Sequence, residues 1–357
     1  MQETTSIAHM EKTDMRNERA NVSYVLLTYN QERYVQEAIE AAFSQTYSPM
    51  EIIISDDASS DDTFEIIRKL TLSYKGNHKV VILQNQSNLG LGAHLKKVLK
   101  MTSGDWIVMA AGDDISMPHR TVAIMDAVQK NRNAGCVWSK QTIIDSIGLI
   151  VNQQNDAVGG FVVTGSSIDD SLNVRPKRLP IHATGCAAAW LRDVIMMNDY
   201  IPDGCWCEDL FYSFRCMALG RDLMHIEDSL VKYRRHDDNI SGFCRETVDE
   251  ANKTIRLRKH TISTLQFVEE DILMIAYNGD SGIDPALTQR LLDRIRMTVL
   301  KLEFECDILG GGPYSFSKVL YFSEYYSRKE LIVVMIRCVI KQVTMRFTQT
   351  IAILLNR

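Results

Sequence analysis

The sequence predicts an α/β fold, with a mostly parallel central sheet and helices on both of its faces. Four short apolar segments, rich in β-branched residues, alternate with segments whose apolar residues recur at helical spacing. This alternation is typical of βαβ units. The chain has 357 residues, of which 45% are hydrophobic and 24% charged. That composition indicates a globular protein long enough for two compact domains, or for one large domain with an appended element.

The first part of the chain carries the clearest alternation. Seven elements are predicted in order: strand VSYVLLT (22–28), a helix over 33–45, strand EIIIS (51–55), helix FEIIRKLTL (64–72), strand KVVILQ (79–84), helix LKKVLKM (95–101) and strand DWIVMA (105–110). We therefore expect α/β structure over at least residues 21–140.

The second part of the chain is less regular and then becomes helical. VGGFVVTGSS (158–167) is typical of a loop, whereas AAAWLRDVIMM (187–197) and EDLFYSFRCMALG (208–220) predict helices. Residues 254–277 and 287–309 show long helical patterns, and GGGP (310–313) interrupts them before the last stretch. We predict three parts: a polar tail over 1–20, an α/β domain over 21–245 and a helical region over 246–357.

Charge and cysteine content narrow the class of protein. The formal net charge of −5 argues against a nucleic-acid binder, and no apolar segment approaches the ~20 residues that a spanning helix needs. The polar first 20 residues lack the apolar core of a signal peptide. The eight cysteines are scattered, and Cys205-Trp206-Cys207 lacks the spacing of a zinc knuckle. These features predict reduced thiols and a location in the cytoplasm.

Polar residues follow each of the four predicted strands. The four segments are Thr28-Tyr29-Asn30, Asp56 to Asp61, Asn88-Leu89-Gly90 and Gly112-Asp113-Asp114. Ligands of open α/β sheets bind at the carboxyl ends of the strands, where such segments converge. Ordinary turn and capping chemistry is an alternative, above all for Ser60 and Asp61. Paired acids at two strand ends repel one another unless a cation lies between them, which favours a hard metal ion bridging a diphosphate.

The sequence contains neither of the common glycine-rich phosphate-binding motifs. No G-x-G-x-x-G follows the first strand, and no G-x-x-x-x-G-K-[ST] occurs. Gly90-Leu91-Gly92 follows the third strand but lacks a third glycine. We therefore expect a metal ion, and not a glycine cradle, to hold the phosphates.

Five motifs in order resemble those of family 2 glycosyltransferases, enzymes of the GT-A fold. They are VSYVLLTYNQERYVQEAIEAAFSQTYSPMEIIISDDASSDDT, NLG (88–90), SGDWIVMAAGDDISMPHR, CEDLFYSFRCMALG and VKYRRHDDNISG. The resemblance covers about residues 21–245 and implies a nucleotide-sugar half over 21–140 and an acceptor half over 141–245. It implies an inverting enzyme that uses Mn²⁺ or Mg²⁺ and a nucleotide-sugar donor.

The resemblance implies roles for individual residues. The nucleotide would be bound by Thr28, Tyr29, Asn30, Asp57, Asn88, Gly90, Asp113 and Arg234. Asp57 is similar to the acid that accepts a hydrogen bond from the uracil N–H, so UDP is favoured over GDP and dTDP. Asp113 and Asp114 stand at the D-x-D motif, and His236 is a further candidate metal ligand. Asp209 resembles the catalytic base, although Glu208-Asp209 also suits a helix N-terminus.

The sequence departs from the family pattern at two places. A full D-x-D motif would have an acid at position 111, where this chain has Ala111. The departure leaves open which of Asp113 and Asp114 holds the metal, and it keeps a non-catalytic nucleotide-sugar-binding relative as an alternative. Family members often have an Arg-Asn pair where this chain has Leu95-Lys96, and we expect Lys96 and Lys97 to lie on a solvated helical face.

The acceptor side is less well defined. Trp206, ahead of the predicted base, suits stacking on a sugar ring and a place in the core equally, and His182 suits a structural role better than contact with the acceptor. The final segment, 331–357, carries basic residues and no acids, which suits either an interfacial helix on anionic lipid or a helix packed on its neighbours or another subunit. The expected acceptor is a glycan or a lipid-linked hydroxyl in cell-surface polysaccharide assembly.

Overall fold

The computed structural model describes residues 20–153, 161–164, 183–197, 201–237, 239 and 250–310. Its strands are β1 Val22–Thr28, β2 Glu51–Asp56, β3 Lys79–Gln84, β4 Trp106–Ala111, β5 Ile115–Ser116, β6 Ala134–Ile144, β7 Ile150–Gln153, β8 Phe161–Val163, β9 Ala188–Leu191 and β10 Asp222–Arg234. Its helices are α1 Val35–Phe43, α2 Thr63–Ser73, α3 Leu91–Leu99, α4 Arg120–Lys130, α5 Arg192–Met196, α6 Glu208–Ala218, α7 Glu250–Asn278 and α8 Pro285–Gly310. The seven elements predicted for the first part of the chain are all present.

One mostly parallel sheet organises these elements. Its strand order is β3-β2-β1-β4-β9-β6-β10-β5, with β7 paired to β6 and β8 to β10. The first four strands in this order are mutually parallel, and β6 and β10 also pair in parallel. The short strand β9 lies antiparallel between β4 and β6. The predicted α/β class with a mostly parallel sheet is confirmed.

The register aligns the carboxyl ends of the strands that carry polar residues. Thr28 pairs with Asp56, Asp56 pairs with Gln84, and Leu27 pairs with Ala111. Parallel pairing therefore brings the segments after β1, β2, β3 and β4 to one edge of the sheet. The candidate site lies at this edge.

The two faces of the sheet bury separate hydrophobic cores. Val25, Ile53 and Ile107 point to one face, where they pack with α3, α6 and the C-terminal helices. The alternate residues Tyr24 and Leu26 point to the other face and pack with α1, α2 and α4. Both sets are almost fully buried, which explains why the strand segments are apolar at nearly every position.

The prediction of a helix over 187–197 is wrong for its first half. Ala188 to Leu191 form β9, and only Arg192–Met196 is helical. Small buried alanines fit between β4 and β6, and Trp190 pairs with Ile107 on one side and Cys136 on the other. Backbone pairing with two existing strands outweighs the helix propensity of the alanines.

The C-terminal helices pack on α6 through a buried ion pair. The Arg215 guanidinium donates to Asp271 of α7 from Nε (2.8 Å to Oδ2) and from Nη2 (2.7 Å to Oδ1). The two side chains are 1% and 7% exposed, and Arg215 also donates to the carbonyl of Met197 at 2.8 Å. Helices α7 and α8 pack against each other, and α7 also packs on α6. Helix α7 therefore connects the two C-terminal helices to the α/β domain.

Several predictions fall outside the described residues. They concern His182, the basic segment 331–357 and the domain boundary near residue 245. Within the described part of the chain, none of the helices combines the length and apolar character that crossing a membrane requires.

Candidate active site

The loops after β1 and β2 are joined by reciprocal hydrogen bonds. Asn30 donates from its backbone N to Ser59 Oγ (2.8 Å), and its side-chain Oδ1 accepts from the backbone N of Ser60 (2.8 Å). The Asp56 carboxylate accepts from the hydroxyl of Thr28 (3.2 Å) and from the backbone N of Ser59 (2.9 Å). Asn30 has a φ of 51°, a conformation that asparagine tolerates better than most residues. Hydrogen bonds of Thr28, Asn30 and Asp56 therefore hold the two loops together. Tyr29, in the same segment, is 43% exposed.

Asp61 performs the capping role that the sequence left open. Its Oδ1 accepts from the backbone N of Thr63 at 3.0 Å, and its Oδ2 accepts from the backbone N of Glu32, also at 3.0 Å. The side chain thus accepts hydrogen bonds from the first residue of α2 and from the loop after β1.

Asp57 holds the loop that follows β3. Its Oδ1 accepts from Asn85 Nδ2 (2.7 Å) and from the backbone N of Leu89 (2.9 Å), and its Oδ2 accepts from the backbone N of Gly90 (3.0 Å). Asn88 Oδ1 also accepts from the N of Gly90 at 2.9 Å. Gly90 has a φ of 77°, which favours glycine at this position. Asp57, Asn88 and Gly90, all predicted donor-site residues, therefore lie together.

The two lysines of α3 make specific contacts. Lys97 Nζ donates to Asn85 Oδ1 at 2.7 Å, so that Asn85 links Lys97 to Asp57. Lys96 Nζ lies 3.4 Å from Asp203 Oδ1. Lys97 is exposed and Lys96 is partly exposed, so the expectation of a solvated helical face is confirmed, and each side chain also contacts one polar residue of a neighbouring segment.

Asp113 lies beside His236 at the end of β4. Asp113 Oδ2 is 3.0 Å from His236 Nε2 and accepts from Asn239 Nδ2 at 3.2 Å. The ring of His236 packs on Tyr34, with 4.7 Å between ring centroids. A carboxylate oxygen and an imidazole nitrogen thus lie within hydrogen-bond distance of each other, although they come from positions 113 and 236.

Asp114 is more deeply buried than its neighbour. Its Oδ1 accepts from the backbone N of Arg234 at 2.9 Å, and the residue is 5% exposed. Burial, and next the charge of Asp113, raise the pKa of Asp114 well above its usual range. Asp114 therefore anchors the end of β10, and Asp113 is the more accessible acid of the two.

Arg234 is buried, and its guanidinium is engaged within the protein. It forms an ion pair with Glu37 of α1 and donates from Nε to the carbonyl of Asp113 at 3.0 Å. Its Cζ lies 4.9 Å from the centroid of the Tyr34 ring. The side chain is 2% exposed, so these contacts hold the loop of Asp113 in place.

Glu208 and Asp209 begin α6. Asp209 accepts from the backbone N of Gly185 at Oδ2 (3.1 Å) and from the N of Leu210 at Oδ1 (2.7 Å). Burial, and next the charge of Asp209, raise the pKa of Glu208 to about 8. A Cβ at Gly185 would lie 2.3 Å from Glu208 Oε1, so a larger residue would require the Glu208 side chain to move. The acids are thereby fixed in direction by the turn that carries Gly185.

That turn connects the two pairs of acids. Gly185–Ala187 forms a single 3₁₀ turn between Asp209 and the end of β4. Gly185 bonds Asp209, and the adjacent thiol of Cys186 lies beside Asp114 and accepts from Gln141 Nε2 at 3.2 Å. The turn therefore contacts both Asp114 and Asp209, two acids that are about 95 positions apart in the sequence.

Gly112 packs closely against the loop after β1. A Cβ at position 112 would lie 2.3 Å from Gln31 Oε1 and 2.8 Å from Thr28 Cγ2. Gln31 thus crosses the backbone of Gly112 on its way to the N of Tyr29, from which its Oε1 accepts at 3.3 Å. The shortened motif therefore packs closely against the loop after β1.

Several site residues were missed by the sequence reasoning. Tyr34, Glu37, Asn85, Gly185 and Asn239 all contact a predicted site residue. None carries a distinctive local pattern, because each acts through a partner that is distant in sequence.

Comparisons with known proteins identify the family of the chain. Residues 23–196 match the family model described as "Glycosyl transferase family 2". An uncharacterized glycosyltransferase of Methanocaldococcus jannaschii is 31% identical over 216 residues, which are 60% of this chain and 70% of that protein. EpsE of Bacillus subtilis is 33% identical over 133 residues, which are 37% of this chain. The chain spans about half of EpsE, 47% of its length.

Solved structures share the architecture at low sequence identity. S. aureus TarS 1-349 in complex with UDP-GlcNAc has a TM-score of 0.58 and 15% identity, with 92% of each chain covered. The mannosyltransferase PcManGT of Pyrobaculum calidifontis, in complex with GDP-Man and Mn²⁺, has a TM-score of 0.53 and 15% identity, with 90% of this chain and 81% of that chain covered. These two similarities concern the fold.

Proposed function

The chain belongs to glycosyltransferase family 2 and has the GT-A fold, and on this premise we propose that it transfers one sugar, with inversion, from a nucleoside-diphosphate donor to a hydroxyl acceptor. A single observation carries the proposal: one turn, Gly185–Ala187, links the acids after β4 to the acids that begin α6. Donor and acceptor would meet at that turn.

The donor side of the proposal rests on the edge formed by β1, β2 and β3. The exposed Tyr29 lies in the segment held by hydrogen bonds of Thr28 and Asn30, and the loop of Asn88 and Gly90 is held by Asp57. We propose that the nucleoside binds there, with UDP favoured. TarS has been solved with UDP-GlcNAc and PcManGT with GDP-Man, so a hexose or an N-acetylhexosamine is the proposed donor sugar.

Asp113 and His236 are the residues that would hold a divalent cation. Among the described residues, no group of three or more His, Cys, Asp or Glu side chains is arranged for a metal ion. One carboxylate with substrate phosphates is, however, a usual arrangement for Mg²⁺ and Mn²⁺, and His236 Nε2 lies 3.0 Å from Asp113 Oδ2 as a further donor. The residues therefore fit such an ion. When bound, it would neutralise charge that develops on the departing nucleoside diphosphate.

The buried pair of Arg234 and Glu37 has a positioning role in this proposal. Arg234 donates to the carbonyl of Asp113, and its backbone N bonds Asp114. The guanidinium would hold the Asp113 loop in the position that the donor phosphates require. It would not contact the phosphates itself, because its N–H groups already donate to Glu37 and to backbone carbonyls.

Asp209 is the proposed general base. Backbone N–H groups of Gly185 and Leu210 orient its carboxylate at the start of α6. Asp209 would accept the proton of the acceptor hydroxyl as that oxygen attacks the anomeric carbon. The bond from the anomeric carbon to the diphosphate oxygen breaks in the same step, and attack from the opposite face inverts configuration.

The acceptor is proposed to be a glycan or a lipid-linked hydroxyl in cell-surface polysaccharide assembly. The sequence resemblance supports this setting, and Trp206, which is 36% exposed, is accessible to an acceptor sugar. Peripheral membrane contact through segment 331–357 and self-association are parts of the same proposal.

The proposal is tested by binding and turnover in one set of experiments. Titration calorimetry with UDP, with and without Mn²⁺, is expected to show metal-dependent binding in the micromolar range. Asp209→Asn should keep this affinity within about twofold and lower sugar transfer by at least about 10²-fold, because loss of a general base removes proton transfer from the reaction. Asp61→Asn, which alters an acid of the capping turn, is the control for transfer.

Two outcomes would contradict the assignment. Retained turnover with weakened UDP binding in Asp209→Asn would move Asp209 from the base to the donor site. Metal-dependent binding without turnover of any UDP-sugar in the wild type would identify a non-catalytic nucleotide-sugar-binding relative.

A further inference from the structure

We propose that Trp206, Arg256 and His260 form a binding site for a negatively charged sugar unit of the acceptor glycan. The proposal rests on the proposed glycosyltransferase function and names the chemical class of its acceptor. It assigns a substrate-binding role to α7, a helix that lies outside the family motifs.

The three side chains form one contiguous surface. The rings of Trp206 and His260 stack with 4.2 Å between centroids and 20° between their planes. The Arg256 Cζ lies 5.6 Å from the centroid of the Trp206 ring, and Arg256 Nε lies 3.5 Å from His260 Nε2. Trp206 is 36% exposed and Arg256 is exposed, so an apolar ring and a cation face solvent together.

Arg256 has a free positive charge in the described part of the chain. The ion pairs of Arg258 and Arg296 in α7 and α8 involve Glu305, Glu269 and Asp293, but no described carboxylate pairs with Arg256. Arg256 also lowers the pKa of His260, after the larger effect of burial, which keeps the imidazole neutral at pH 7. A guanidinium without a protein counter-ion, beside a neutral imidazole, is suited to an anionic ligand.

The surface lies next to the proposed base. Trp206 precedes Glu208 and Asp209 by two and three residues. Its loop packs against α7, since Cys205 Sγ is 3.8 Å from Thr264 Oγ1. The same loop packs against the start of α3, because a Cβ at Gly92 would lie 2.9 Å from the carbonyl oxygens of Asp203 and Cys205. Trp206 therefore lies between the donor loop that ends at Gly90 and helix α7.

The chemistry of the cluster defines the ligand. A partly exposed indole stacks on the apolar face of a sugar ring, and a guanidinium binds a carboxylate or phosphate through two N–H groups. The shared requirement is a sugar or polyol unit that carries negative charge. That charge can come from a uronate carboxylate or from a phosphodiester, and the experiment separates these sources.

The test measures binding of three defined oligomers by microscale thermophoresis. They are a hyaluronan hexasaccharide with carboxylates, an oligomer of six glycerol phosphates and the neutral cellohexaose, each added to the full chain loaded with UDP and Mn²⁺. We expect one or both anionic oligomers to bind more tightly than cellohexaose. Arg256→Gln should weaken that binding at least about fivefold. Arg256→Lys should weaken it less, because lysine keeps the positive charge but lacks the two parallel N–H donors of the guanidinium.

Arg132→Gln is the matched control. Arg132 is an exposed arginine before β6, at the opposite end of the sheet from the site, and its loss should leave binding unchanged. Tighter binding of hyaluronan would identify the carboxylate as the recognised group, and tighter binding of glycerol phosphate the phosphodiester. Equal binding by wild type and Arg256→Gln, or no preference for either anionic oligomer over cellohexaose, would overturn the proposal.

UDP titration of the same variants separates the two levels of inference. Wild-type UDP affinity in Arg256→Gln, together with unchanged oligomer binding, would refute the anionic site alone. Failure of the wild type to bind any nucleotide would refute the proposed glycosyltransferase function itself.

Discussion

At the residue scale, two adjacent aspartates differ in accessibility and in partners. Asp113 faces His236 and Asn239, whereas Asp114 is 5% exposed and accepts from the backbone N of Arg234. Strand β4 ends at Ala111, so the tight turn after it directs the two side chains differently. We therefore propose that Asp113 is the metal carboxylate and that Asp114 is a structural anchor.

This difference predicts unequal effects of the same substitution. Asp113→Asn should weaken Mn²⁺-dependent UDP binding at least about tenfold, because it removes the charged ligand. Asp114→Asn keeps an oxygen acceptor for the N of Arg234 and should change affinity less than about threefold. Calorimetry with UDP at fixed Mn²⁺ measures both variants, and the reverse order of effects would exchange the two roles.

At the element scale, α7 is bound to α6 by the Arg215–Asp271 pair. Both side chains are buried, and the guanidinium also stacks on Phe211 of α6, at 4.7 Å from the ring centroid. Because α6 begins with the proposed base, the pair also fixes the position of α7 relative to the acceptor site. A buried ion pair of this kind is costly to break on one side only.

We predict that Asp271→Ala destabilises the protein strongly. The substitution leaves the Arg215 guanidinium buried without its counter-ion, so the free energy of unfolding should fall by about 3–5 kcal/mol. Glu270→Ala, an exposed neighbour on the same helix, should change it by less than about 0.5 kcal/mol. Urea denaturation followed by circular dichroism compares the two variants, and equal midpoints would show that the pair contributes little.

At the scale of the whole molecule, the site holds a half-buried acid, Glu208, whose charged form the folded state disfavours. The pKa of Glu208 is raised from 4.5 to about 8, first by burial and then by the charge of Asp209. The folded state therefore holds this proton more tightly than the unfolded chain does. The stability that Glu208 contributes is fully present below pH 4.5 and is lost as the pH rises to about 8.

Glu208→Gln should remove this pH dependence. We expect the variant to gain stability relative to the wild type between pH 5 and pH 9, by about 1–3 kcal/mol in the free energy of unfolding. Glu270→Gln, which alters an exposed acid, should show no such trend. Urea denaturation at four pH values gives the difference directly, and a flat difference for Glu208→Gln would mean that its carboxyl is solvated in the folded protein.

Local sequence patterns predicted a large part of this protein. The strands and helices up to β4 could be placed because apolar residues facing a core recur with the period of the element that carries them. The positions of Thr28, Asp57, Gly90 and Asp113 at one edge followed from the parallel order of β1 to β4. The motifs in sequence order also predicted the family to which the chain belongs.

The predictions weakened where distant contacts decide the structure. Ala188 to Leu191 have a helical composition, yet β4 and β6 offer backbone partners on both sides and make them a strand. Arg234 was expected at the diphosphate because of its motif. In the structure its guanidinium donates a hydrogen bond to Glu37, which is 197 positions away in the sequence. No local window contains both members of such a pair.

The sequence by itself thus determined the fold class and the family and supplied candidate site residues, because these depend on periodicity and on residue type. Only the tertiary structure decided which acid faces His236, how Gly185 orients Asp209, and that α7 brings Arg256 to Trp206. These arrangements depend on packing between elements far apart in the chain. Burial and hydrogen-bond partners, which assign each side chain its role, are properties of that packing.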